Sequence, residues 1–294
     1  MFDPVRIAKN FRVIAVEDEH LRGWCFAPFS GLNISQIRWR THLIEGNPNY
    51  RIEKLTHSRR VVSTLWPGND MLPLEQPIRL YIKRAWVTSS LRAAGSLLRT
   101  SKAKREFDLG IQLFEKGIPA SLPVWCGENR EHGFLRESFL VTLGLEGALP
   151  FPAAIRKLAQ AEQRRNALCQ LGMFLRQALE RGFQHVDCSA KHVFVEGDPS
   201  NPEAHQRMAF IDVDGGRLDA PFTPRTCRKI AFQVFRSLED EPWFAHDEQI
   251  AFLGSLYGTS IKEAQMEQLV QQFCRMEERL RLRKRLFQMI GVAR

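Results

Sequence analysis

Phe183-Gln184-His185-Val186-Asp187-Cys188-Ser189-Ala190-Lys191-His192-Val193-Phe194-Val195, echoed by Phe210-Ile211-Asp212-Val213-Asp214, decides how this chain is read. A polar turn carries Asp187, a possible metal ligand follows at His192, and two short apolar strands then lead to Asp212. Phosphoryl transfer asks little covalent chemistry of a protein. It needs a carboxylate near the attacking hydroxyl, ligands for magnesium, and cations on the phosphates. Asp187 suits the first role, His185 braces its loop, and His192 with Asp212 offers magnesium hard or borderline donors. Taken singly, each of these residues reads as a turn-capping aspartate or an ordinary loop histidine. Their order, with strands between them, is the signal.

Composition sets the frame. A chain of 294 residues, 44% hydrophobic, can bury one large core or two modest lobes. Its six cysteines lie far apart with no C-x-x-C pair, so neither a zinc site nor a disulfide framework is indicated, and reduced thiols of a cytosol are expected. Met1-Phe2-Asp3-Pro4 lacks the basic start and apolar run of a secretion signal, and no window is long enough to span a bilayer. A soluble or peripheral protein is expected. The net charge of +9 asks for a polyanionic partner: nucleic acid, an anionic membrane face or a phosphorylated substrate. Basic and aromatic residues do not converge on one strand-borne platform, so nucleic acid is not expected.

Short strands are expected at Arg12 to Val16 and Gln36 to Arg40, with Gly46-Asn47-Pro48-Asn49 as a loop. Tyr50 to Leu55 and Arg60 to Trp66 then flank Thr56-His57-Ser58-Arg59 as a hairpin, whose tip is placed to cover nucleotide phosphates. It has no glycine, so the G-x-G-x-x-G pattern of protein kinases is absent. Pro67-Gly68-Asn69-Asp70 closes that unit. In the next strand Ile78, Leu80 and Ile82 share one face by the period of two, and Arg79, Tyr81 and Lys83 the other. A kinase needs a lysine here to reach the α and β phosphates, held by a glutamate of the next helix. Ser101 caps that helix, Phe107, Ile111 and Phe114 give its periodicity, and Gly117 and Pro119 end it. Glu106 is the partner expected for Lys83, with Asp108 and Glu115 as other carboxylates on the helix. Strands at Pro123 to Cys126 and Phe139 to Thr142 lead to a hinge, Leu143-Gly144-Leu145. There Leu143 and Leu145 offer backbone groups to the adenine of ATP, and the glycine lets the base approach. Helices are expected from about Ala159 to Arg181, from Arg225 to Leu238, and as one or two more between Ile261 and Ile290. The last carries Arg279, Arg281, Arg283, Lys284 and Arg285 as a solvated face. The fold expected is α+β and bilobal, protein-kinase-like: an N-terminal lobe, 1–142, mostly antiparallel β with one key helix, and a mostly α C-terminal lobe, 143–294.

Ser101 to Gly117, Phe139 to Thr142, Gly182 to Val195 and Phe210 to Asp212 resemble the lipopolysaccharide core kinases, the bacterial Kdo and heptose kinases, over about Ile78 to Leu238. The resemblance implies an ATP- and Mg2+-dependent kinase acting on a sugar hydroxyl of the lipopolysaccharide inner core or a related glycolipid. It also implies peripheral attachment to the cytoplasmic face of the bacterial inner membrane. It places the catalytic aspartate at Asp187, the histidine of the usual asparagine position at His192, the metal aspartate at Asp212, the phosphate lysine at Lys83 and the helix glutamate at Glu106. Val186 stands where such loops usually carry Arg, which argues against regulation by activation-loop phosphorylation. Asp214-Gly215-Gly216 also satisfies Asp-x-Gly, so Asp214 is an alternative metal ligand. Arg228-Lys229 replaces a common Lys-Asp pair, leaving the catalytic loop without one expected anchor. Between Arg84 and Arg105, Arg84, Arg92, Arg99, Lys102, Lys104 and Arg105 alternate with Trp86, Leu91, Leu97 and Leu98. Such a stretch can rest on anionic lipid at about 1 kcal/mol per cation. A small-molecule or protein kinase of the same fold is the alternative enzyme, although a basic chain favours an anionic acceptor. A pseudokinase holding a membrane is the alternative without catalysis.

Overall fold

The computed structural model describes residues 10–18, 21–32, 34, 50–56, 58–88, 95, 97, 99–258 and 261–289. The strand expected at Gln36 to Arg40, the loop at Gly46 to Asn49, and Leu91, Arg92 and Leu98 lie outside them. The chain divides into two compact units, Met1–Glu146 with Asp212–Asp214, and Gly147–Ile211 with Gly215–Arg294.

The first unit is built on a seven-stranded antiparallel sheet. Its strands are β1 (Val13–Asp18), β2 (Leu21–Phe26), β3 (Arg51–Leu55), β4 (Arg59–Asn69), β5 (Leu72–Trp86), β6 (Pro123–Glu131) and β7 (Phe134–Leu143), in the order β1-β2-β6-β7-β5-β4-β3. Period-two alternation fixes the faces of β5. Ile78, Leu80 and Ile82 are buried in a core with Phe26, Phe29, Val62, Val124 and Val141, and Lys83 lies on the opposite face. The β4–β5 hairpin is longer than its sequence suggests. Pro67 and Gly68 sit inside β4 at a register shift between Trp66 and Gly68, and the reversal comes at Asp70 and Met71. Gly68 has φ +90, and a bulge accommodates both that conformation and the N–H that Pro67 lacks. Turn chemistry alone reads the same residues as a stop.

Helix α1 (Lys102–Glu115) packs on this sheet and aims Glu106. The Ser101 side chain accepts from the Lys104 N–H at its start. At its end Gly117, at φ 63, and Ile118 return N–H groups to the carbonyls of Phe114 and Leu113, a Schellman closure. A Cβ on Gly110 would lie 2.5 Å from the Pro123 ring, so the helix touches the sheet one turn beyond Glu106.

In the second unit, β8 (Ala148–Pro150), β9 (Val193–Glu196) and β10 (Met208–Phe210) form a small antiparallel sheet in the order β10-β9-β8. The rest is helical: α2 (Phe151–Ile155), α3 (Ala161–Glu180), α4 (Pro224–Leu238), α5 (His246–Tyr257) and α6 (Glu263–Met289). Leu168, Leu171, Leu175 and Leu179 of α3 are buried as their spacing predicts. Helix α5 is absent from the sequence reading, although Phe252, Leu253 and Leu256 give it a buried side. All six cysteines are free thiols. No described helix is long and apolar enough to cross a membrane.

Two glycines make a matched test of the packing of α3 on α5. A Cβ on Gly172 of α3 would lie 2.7 Å from the Phe252 carbonyl oxygen, whereas one on Gly254 of α5 meets only the Met266 Sδ, at 3.7 Å. Alanine gains up to about 1 kcal/mol of helix propensity at either position. At Gly172 the overpacking, about 1–3 kcal/mol, exceeds that gain. Urea titration should therefore show Gly172→Ala with a lowered midpoint and Gly254→Ala with an unchanged or raised one.

Candidate active site

The polar face of β5 presents Lys83, and α1 brings Glu106 to it. The Lys83 Nζ lies 2.7 Å from Glu106 Oε1 and 3.3 Å from Asp212 Oδ1. The Glu106 side chain is 6% exposed and that of Lys83 22%. Burial by itself drives an ammonium toward its neutral form. The charges and hydrogen bonds of Glu106 and Asp212 more than reverse that, and Lys83 titrates above an ordinary lysine. Burial likewise works against the Asp212 carboxylate. Lys83, then Lys102, the Lys83 hydrogen bond and Arg59 overcome it, holding Asp212 below the ordinary range. Both groups are charged at neutral pH.

Asp212 has φ 53, a left-handed conformation that aspartate tolerates better than most residues. Two positions on, Asp214 Oδ2 lies 2.6 Å from the Nζ of Lys102, the first residue of α1. Helix α1 is thus tied twice to the Asp212–Asp214 segment: through Lys83, which bridges Glu106 to Asp212, and directly through Lys102. Of Asp108 and Glu115, the other carboxylates considered for Lys83, Asp108 is spent on Lys104 at 2.5 Å.

In the second unit, the loop of Asp187 is held by backbone and side-chain bonds on both sides. Gln184 and Arg217 exchange N–H···O bonds of 2.8 and 2.9 Å, and the Ser189 N–H reaches the Asp187 carbonyl at 2.8 Å. His185 is 1% exposed, its ring 5.7 Å from that of His192 and 5.5 Å from that of Phe210. The His192 Nδ1 lies 2.9 Å from the Asp187 carbonyl oxygen. A carbonyl only accepts, so Nδ1 carries a proton, and it is Nε2 that has the lone pair in the neutral form of the ring. The Ile211 N–H bonds the His192 carbonyl at 2.8 Å, which sets the start of the Asp212 segment.

One anchoring residue is absent from the sequence reading. Gln233, on α4, donates from Nε2 to the Val186 carbonyl and accepts at Oε1 from the Cys188 N–H at 3.1 Å. Its amide grips the peptide groups on either side of Asp187. One turn later the Ser237 Oγ accepts from the Ala190 N–H at 2.9 Å. The anchor missing at Arg228-Lys229 is thus supplied further along the same helix. The available signal was a glutamine beside the buried stripe of Ile230, Val234 and Leu238.

At the expected hinge, the Leu143 N–H is bonded to the Leu122 carbonyl and the Gly144 N–H to the Arg79 carbonyl, at 2.9 and 2.7 Å. The Leu143 carbonyl accepts from Ser121 Oγ at 2.6 Å. Leu145 is the residue of this turn whose backbone groups are not engaged among the described residues. A Cβ on Gly144 would meet Arg79 at 3.0 Å and Tyr81 at 3.2 Å, so the glycine is already required by its contact with β5. In the basic stretch, Arg84 pairs with Glu137, Lys102 with Asp214 and Lys104 with Asp108.

Among the described residues, no group of three or more His, Cys, Asp or Glu side chains forms a metal cage. Magnesium seldom uses one, since it keeps waters and takes one or two carboxylates plus substrate phosphates. Asp212 and Asp214, 33% and 26% exposed, are a donor set of that kind.

The depressed Asp212 carboxylate favours folding above its unfolded-state pKa of about 3.9, and the benefit disappears as pH falls through its lower folded-state value. The stability gap between wild type and Asp212→Asn should therefore be constant from pH 7 to 5 and shrink on further acidification, as read from denaturation midpoints. Gln233→Leu leaves the Val186 carbonyl and Cys188 N–H without partners, at a cost of about 1–3 kcal/mol. Hydrogen exchange at Cys188 should accelerate in that variant.

The description "Lipopolysaccharide kinase (Kdo/WaaP) family" belongs to a family model that matches residues 76–253, a span holding Lys83, Glu106, Asp187, His192 and Asp212. No curated protein sequence matches the chain. Among solved structures, "WaaP in complex with acyl carrier protein" is similar with a TM-score of 0.56 and 16% identity, over 92% of this chain and 99% of that one. At that identity the likeness speaks for the fold, which is α+β and protein-kinase-like. With well over half of its length matched, the chain belongs to the lipopolysaccharide kinase (Kdo/WaaP) family.

Proposed function

We propose that the chain transfers the γ-phosphoryl group of ATP to a sugar hydroxyl, of Kdo or heptose, in the lipopolysaccharide inner core or a related glycolipid. The observation that carries this is Lys83 held between Glu106 and Asp212. A permanently charged ammonium, aimed by one buried carboxylate and bonded to a second, more exposed one, is the arrangement a triphosphate needs.

Asp187 orients the acceptor hydroxyl and takes its proton as the oxygen attacks the γ-phosphorus and the bond to ADP breaks. Lys83 steadies the phosphate oxygens while Glu106 keeps it in place. Asp212, with the Nε2 lone pair of His192, supplies ligands for Mg2+, which neutralises charge on the phosphates when bound. Leu145 offers its backbone to the adenine. The net charge of +9 supports an anionic acceptor, and with it work at the cytoplasmic face of an anionic inner membrane as a peripheral protein.

The test is labelled-phosphate transfer from ATP to extracted core oligosaccharide, run beside an aminoglycoside and a generic protein. Transfer to the oligosaccharide alone is expected. Preference for either of the others would reassign the acceptor. Asp187→Asn should lower turnover about 10²–10⁴-fold and leave ATP binding intact. Lys83→Met should weaken ATP binding itself, and an unchanged affinity would remove the lysine from the site.

A further inference from the structure

Glycine-rich loops hold phosphates because their backbone N–H groups point at the anion and no Cβ blocks its approach. The β3–β4 turn of this chain is built differently. Its sequence, Thr56-His57-Ser58-Arg59, contains no glycine. His57 lies outside the described residues, and the two flanking amides are committed: the Thr56 N–H donates to the Arg59 carbonyl at 2.9 Å, and the Arg59 N–H donates to Thr56 Oγ1 at 3.1 Å. Thr56 Oγ1 in turn donates to the Arg59 carbonyl at 3.0 Å, and the Ser58 carbonyl accepts from the Trp86 N–H at 3.2 Å. The Thr56 and Arg59 amides are therefore not free to take a phosphate.

It does place a side chain. Val61 pairs with Lys83, and Arg59 with Ala85, so alternation puts Arg59 on the face of the sheet that carries Lys83. The cations Lys83 and Lys102 are already spent, Lys83 on Glu106 and Asp212 and Lys102 on Asp214. Among the described residues, no carboxylate lies within ion-pair distance of the Arg59 guanidinium. Its neighbour Arg60 faces the other way, over the Trp86 ring at 5.5 Å.

The geometry points to Arg59 as a phosphate ligand of the nucleotide site, a side-chain clamp in place of a glycine loop. The assignment rests on the kinase reading above and extends it to the part of the site that the sequence left open. A guanidinium fork suits two phosphate oxygens at once, and the Thr56 lock fixes the backbone from which it projects.

Equilibrium binding of Mg2+·ATP and of adenosine, measured on the full chain and three variants, tests it. Arg59→Ala should weaken ATP binding about ten- to a hundredfold, the worth of one charge-assisted contact, with adenosine binding unchanged. Arg59→Lys should recover part of the loss, and Arg60→Ala should bind ATP as wild type does. If Arg59→Ala binds ATP normally, or loses ATP and adenosine equally, the assignment is overturned while the kinase reading stands. If the wild-type chain binds no Mg2+·ATP, both fall.

Discussion

A charged amine cannot be taken out of water alone, and the placement of Lys83 follows from that constraint. Removing an ammonium from solvent costs several kcal/mol unless carboxylates and hydrogen bonds replace the water. Glu106 and Asp212 do so from elements far apart in sequence, a helix that follows β5 and a segment beyond β10. The demand reaches outward. Glu106 is delivered only if α1 starts at Ser101 and lies close on β6 at Gly110, and Asp212 only if its backbone adopts a left-handed turn. It also accounts for the grouping of Asp212–Asp214 with the first unit although the chain on both sides belongs to the second.

The loop of Asp187 is secured by different means. Gln233 uses one neutral amide to satisfy a donor and an acceptor that flank the aspartate. A carboxylate at that point could accept from the Cys188 N–H but would oppose the Val186 carbonyl. A lysine could donate but not accept. An amide does both without adding a charge near Asp187. The task of the loop is therefore geometric: it presents a carboxylate from a backbone whose peptide groups are already bonded.

The readable parts of the sequence were those in which one periodicity or one local motif settles the structure. The alternation of Ile78, Leu80 and Ile82 put Lys83 on the polar face. Ser101 and Gly117 bounded α1, and the leucines of α3 marked its buried side. What was hidden depended on tertiary partners. Pro67 and Gly68 read as a stop because nothing local shows that β5 will receive them in a bulge. Helix α5 has a weak local pattern, since apolar residues around Phe252 face more than one neighbour. Gln233 cannot be matched to Val186 and Cys188 without the fold, because it lies beyond Arg228-Lys229, the pair at which the anchor is expected. At the hinge, the sequence named Leu143 and Leu145 together, and only the bonds to Leu122 and Ser121 separate them.

The choice between Asp212 and Asp214 follows from the same accounting of charge. Each has a lysine, but the two lysines differ. Lys83 already has a full partner in Glu106 at 2.7 Å, so Asp212, at 3.3 Å, is its second and longer contact. A cation or phosphate entering there can displace that contact without stranding the ammonium. Lys102 has Asp214 as its partner at 2.6 Å, and drawing Asp214 away would release the first residue of α1 from the segment. Metal binding through Asp212 leaves the direct tie of Lys102 to Asp214 intact, whereas binding through Asp214 would undo it. Asp212 is thus the ligand the proposed mechanism uses, and Asp214 is better described as the residue that keeps α1, and with it Glu106, in register with Lys83.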